Sequence, residues 1–109
     1  MANIDFQKLF ETLKNEVSAL AISTFKKYEK EAEADSLKLL DKLKSNLKTW
    51  TQQLSDGKLS IKDFEFLILG QKELIEMIAL KQAGLAAIQI DELKGNLLNL
   101  IIKTTSALL

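Results

Sequence analysis

Apolar residues recur through the first half of the chain mostly at steps of three and four: Phe6, Leu9, Phe10, Leu13, Val17 and Leu20, then Phe25, Tyr28, Ala32, Leu39, Leu43, Leu47, Trp50 and Leu54. Such spacing places the side chains on one helix face. The stripe drifts slowly in one direction around the helix, the mark of a repeat nearer 3.5 than 3.6 residues and of left-handed supercoiling against a partner. It thins over residues 29–36, where Ala32 alone keeps the seam and Asp35 or Ser36 could cap a new helix. The phase agrees on both sides of this gap, so a single helix over about residues 4–54 is expected.

Residues 54–64 read as a stop followed by a start. Gly57 suits the left-handed position just past a helix end. Ser60 is a good N-cap with Asp63 three residues on, and Leu59 and Phe64 are spaced as a hydrophobic staple. A tight turn at 55–60 is therefore predicted. The same residues resemble the second half of a calcium loop, with Gly57 at its sixth position and Asp63 at its twelfth. Aligned that way, the first and third positions are Gln52 and Leu54, so two carboxylate ligands are missing and no metal is expected.

The second helix, expected over about residues 61–105, differs in kind. One stripe, Ile61, Phe64, Leu67 and Ile68, Leu74 and Ile75, Ile78, Leu85, Leu93, Leu97 and Leu100, should face the first helix. A second lane runs through Phe66, Gly70, Glu73, Met77, Leu80, Gly84, Ala87, Asp91, Gly95, Leu98 and Ile102. Glycine inside a helix costs roughly 1 kcal/mol relative to Ala, and its use there is close approach of another backbone. An apolar second lane must also be covered. The fold expected is all-α: an antiparallel hairpin of two ~50-residue helices, each spanning about 75 Å, pairing with another copy into a four-helix bundle with coiled-coil packing. Centring the turn near residue 57 sets position i opposite about 115 − i, which brings Ala32 and Ala34 against Ala83, Gly84 and Ala86 and Phe6 against Leu108 and Leu109. The rival, a single-chain up-down bundle, requires breaks near Asp35 and near Ile90 and Asp91.

Composition narrows the chemistry. The chain has 109 residues, room for one domain (1–109), and contains neither His nor Cys nor Pro. Imidazole catalysis, thiol nucleophiles, disulfides and the common zinc and haem sites are thereby excluded, and no cofactor is expected. The 15 cations are all Lys and balance 15 acids, so the basic surplus and Arg forks of a nucleic-acid partner are absent. Glu73 and Asp91 are the acids on the second lane, yet eighteen residues along one helix separates them by about 27 Å, too far for a catalytic dyad. They suit register-setting or pairing with Lys across an interface better.

The function expected is accordingly non-enzymatic: a self-associating structural, scaffold or interaction protein, its partner a second copy (most simply a dimer) or another helical protein. Self-association is assigned to Phe66, Gly70, Met77, Leu80, Gly84, Ala87, Gly95, Leu98 and Ile102. The alternative is an amphipathic protein that binds a lipid or membrane surface, against which stand the mixed charges of its polar faces. In length, net charge and two-helix layout the chain resembles the small helical-hairpin export substrates that carry a Trp-x-Gly turn. Here Trp50 lies seven residues before Gly57, so that motif is absent. No leader pattern or membrane-spanning run is visible, giving a cytoplasmic expectation with leaderless export as the other route.

Overall fold

Residues 5–108 are described by the computed structural model, and all their regular structure is helical. Ile4 and Leu109, which the expected hairpin used at its open end, lie outside them. The elements are α1 (Phe6–Thr24), α2 (Glu29–Ser55), α3 (Ile61–Leu69), α4 (Ile78–Gln82) and α5 (Ala87–Leu108), with 3₁₀ turns at Lys26–Tyr28 and Lys72–Leu74.

The turn after α2 forms as its sequence predicts. Gly57 takes a φ of +75°, its amide donates to Leu54 O at 3.2 Å, and the Lys58 amide donates to Gln53 O at 2.8 Å. These are the two bonds of a Schellman stop. The Ser60 hydroxyl then accepts from the Asp63 amide at 3.1 Å, opening α3. The register also holds at first. Asp35 on α2 meets the amides of Ala79 and Leu80 on α4, where the 115 − i rule places its opposite number.

The two 50-residue helices do not form. The longest helix, α2, has 27 residues, and the chain measures 47 × 23 × 19 Å, too short for 75 Å arms. Both ends of the expected hairpin fold back. The first reversal is at residues 25–28, ahead of the Asp35 gap. There the Ser23 and Thr24 hydroxyls both donate to Leu20 O, at 3.0 and 2.6 Å, and Phe25 leaves helical geometry at φ −126°, ψ 84°. Hydroxyls bonded to the preceding turn compete with helix continuation. The stripe itself makes a five-residue step there, from Leu20 to Phe25.

The second reversal is at residues 83–86. Gly84 has a φ of +95°, its amide donates to Lys81 O at 3.1 Å, and the Leu85 amide donates to Leu80 O at 3.1 Å. This is a second Schellman stop. The expected helix two is also interrupted at residues 70–77, so it becomes three pieces with three phases.

Folding back encloses one core. Helix α1 packs along α2 and against α5, while α5 also lies along α3. Leu13, Val17, Leu39, Leu43, Leu47, Phe64, Leu97 and Ile101 are essentially inaccessible at its centre. On α5 both apolar lanes are buried, Leu93 and Leu97 on one and Leu98 and Ile102 on the other, because the helix is wedged between two neighbours of its own chain. Side-chain bonds tie the layers: the Ser18 hydroxyl donates to Glu33, and the Thr104 hydroxyl donates to Glu16.

Candidate functional site

Residues 70–77 contain Gln, Lys, Glu, Leu and Met, all good helix formers, yet only a 3₁₀ turn forms there. The broken backbone needs partners for the groups a helix would have paired. Two charged side chains supply them. The Asp35 carboxylate, 2% exposed, accepts from the Leu80 amide at 2.8 Å and the Ala79 amide at 3.1 Å. It therefore caps the first turn of α4 from another helix, doing what the N-cap residue Met77 has no side chain to do. The Lys94 ammonium, from α5, donates to Ile75 O at 2.9 Å and Lys72 O at 3.2 Å. Beside it Lys72 pairs with Asp91 at 2.9 Å. An acid at the start of α4 and an amine at the carbonyls before it hold the interruption open from both sides.

Between α4 and α5 this leaves an open groove of about 740 Å³. Met77 and Ile90, both buried, form its floor. Ile78 on α4 and Ile88 on α5 stand on its walls, 52% and 70% exposed. Leu85 and Ala87 close the end nearest the Gly84 turn, and Glu76, Lys81, Asp91 and Lys94 give a rim of both signs. Leu74, Phe66 and Leu69 add further exposed apolar surface on the preceding turn and on α3.

The residues assigned to self-association from sequence do not share a surface. Met77, Leu80, Leu98 and Ile102 are buried in the chain's own core, so the continuous lane is corrected to two sets. Phe66, Gly70, Gly84 and Ala87 are exposed, and Gly95 is half-buried beneath the Lys72 side chain. Gly84 makes no close backbone approach. A Cβ built there meets nothing within 4 Å, and glycine is required by the positive φ of the turn. Asp91 is paired inside the chain with Lys72, and Glu73 is exposed. Among the described residues no group of three or more acidic side chains converges as a metal would require, and no helix is long and apolar enough to cross a membrane. At the 55–60 turn the Asp56 carboxylate accepts from Gln52 Nε2 at 3.0 Å.

Sequence reasoning missed Asp35 as a tertiary cap, Lys94 as a carbonyl clamp, and Ile88 altogether. For Asp35 the signal was present but misdirected: an acid on an apolar stripe suggested a break in its own helix. No family model, curated protein or solved structure matches the chain.

Proposed function

We propose that the chain is a non-enzymatic interaction protein that associates with a second copy of itself through the α4–α5 groove. The observation that carries this reading is the pair Ile78 and Ile88, large apolar side chains more than half exposed over a floor of Met77 and Ile90. Apolar surface rimmed by polar groups is the usual form of an association site. The rim is self-complementary in charge. It carries Glu76 and Asp91 with Lys81 and Lys94, and because Asp91 and Lys94 are bonded inside the chain, Glu76 and Lys81 are the pair that two-fold association can set against each other. A chain with no net charge meets no long-range repulsion from its copy. The absence of His and Cys supports a role without chemistry.

Sedimentation velocity across a concentration series tests the reading. Wild-type protein is expected to move toward twice the chain mass as concentration rises. Ile88→Lys, which puts a charge on the groove wall while leaving the core untouched, should weaken association tenfold or more. A single-chain mass at every concentration, or an Ile88→Lys variant that associates like wild type, ends the proposal.

A further inference from the structure

The geometry points to a particular mode of association, exchange of α5 between two copies by straightening of the 83–86 turn; it rests on the self-association reading above. Helices α4 and α5 barely pack on one another. Helix α4 lies mainly on α2, α5 lies mainly on α1 and α3, and the space between α4 and α5 is the open groove. Separating them therefore sacrifices little. The turn that folds α5 back is Ala83-Gly84-Leu85-Ala86, good helix formers apart from Gly84, with no Pro. Nothing packs within 4 Å of a side chain built at Gly84, so the reversal is held by the φ of that residue, its two Schellman bonds and the partly buried Leu85 rather than by a close fit at the glycine itself.

If the turn straightens, residues 78–108 become one helix of about 45 Å. Helix α5 cannot leave its slot empty, because Leu93, Leu97, Leu98 and Ile101 are core residues. The body that fits that slot is the α5 of another copy, entering as the first α5 departs, so each copy completes the other. Straightening also sorts the groove. Ile78, Lys81, Leu85 and Ile88, now on two walls, fall at steps of three, four and three and so line one face of the continuous helix. Two such helices crossing at the two-fold axis give a seam of Ile78, Leu85 and Ile88, the two isoleucines being exposed in the single chain, with the Lys81 side chain among them. Asp35 fixes where the exchange hinges. By holding the start of α4 on α2, it leaves the 83–86 turn as the joint that moves.

Gly84→Ala tests this with opposite effects on the two forms. In the folded-back chain Ala at a φ of +95° is strained, whereas in a continuous helix Ala is better than Gly. The two effects together favour the straight form roughly 30-fold per chain, and so roughly 1000-fold in the dissociation constant of a dimer of two such chains. The Lys72–Asp91 ion pair reports which copy α5 belongs to, since Lys72 lies before the hinge and Asp91 after it. Chains labelled with 14N and 15N are mixed, unfolded, refolded together and treated with a carbodiimide, which joins the paired amine and carboxylate as an amide with loss of water. In the dimer fraction of Gly84→Ala, about half the Lys72–Asp91 cross-linked peptides should carry mixed isotopes, the statistical share for exchange between identical copies. A dimer whose cross-links are all of one isotope overturns exchange and leaves surface association standing. A Gly84→Ala chain that forms no dimer overturns both.

Discussion

Replacing Asp35 by Ala removes an acceptor that serves two backbone amides from a distance of 44 and 45 residues. The Leu80 amide is buried, and the Ala79 amide is half-buried. A buried donor left without a partner costs about 1–3 kcal/mol, and a partly hydrated one falls at the lower end. Helix α4, with five residues, is far too short to hold itself together once its cap is gone. Two terms work the other way. Ala is a better helix former than Asp inside α2, by a few tenths of a kcal/mol, and the cost of burying a carboxylate is relieved. The net loss expected is about 1–3 kcal/mol, a large share of the ~5–15 kcal/mol by which a domain is stable. Asp35→Asn retains one acceptor oxygen and should lose about half as much. Urea denaturation followed by circular dichroism measures both, with the slope of the transition checked for constancy. Amide exchange at Ala79 and Leu80 should accelerate in Asp35→Ala before the rest of the core does. An Asp35→Ala chain within about 0.5 kcal/mol of wild type would falsify the capping account.

Two further substitutions separate neighbouring claims. Lys94→Met keeps the apolar stem over the groove but removes the donor to Lys72 O and Ile75 O, and should cost about 1–2 kcal/mol in the same urea assay, with exchange faster in residues 72–77. Gly95→Ala should stabilise by about 0.5–1 kcal/mol, because Gly95 lies within α5 and an added Cβ would sit 3.6 Å from Lys72 Nζ, in ordinary contact. A lower melting temperature for Gly95→Ala would show instead that a tight helix crossing exists at that position.

What the sequence made legible was local. Gly57, Ser60 and Asp63 lie within seven residues of one another, and each signals the same turn, so the turn and the register it sets are read correctly as far as Asp35 and Leu80. The Gly84 turn uses the same backbone bonds but hides its nature. No polar cap follows it, since Ala86 accepts from the Gln89 and Ile90 amides through its carbonyl alone, and α5 starts without a side-chain signal. Its spacing by sevens from Gly70 and Asp91 suggested a helical lane in its place. The interruption at 70–77 was beyond local reading for another reason. Its backbone is satisfied by Asp35 and Lys94, which stand on other helices, and no window of a dozen residues contains both the break and what stabilises it. The step of five at Leu20 to Phe25 was readable, and it marks the first reversal better than the polar gap at 29–36 does.

The hairpin reasoning identified the right problem, an apolar second lane with nothing over it, and the chain solves that problem internally. Burying a Leu, Ile or Met side chain is worth about 1.5–3 kcal/mol, so enclosing Met77, Leu80, Leu98 and Ile102 contributes on the order of 6–12 kcal/mol as an upper figure. Against this, each reversal interrupts a helix and frees a few backbone groups, at a net cost of about 1 kcal/mol for every bond not remade. Most are remade: the Schellman bonds at Gly84, the Asp35 cap, the Lys94 clamp. Covering the same lane with a second copy would gain similar area but lose about 4–15 kcal/mol of translational and rotational freedom. Folding back therefore wins within one chain, and leaves the groove between α4 and α5 among the apolar surfaces still exposed. Under the proposed exchange, the balance between folded-back and exchanged forms rests on the residue that turns the chain, so substitution at Gly84 is expected to shift association without touching the partner.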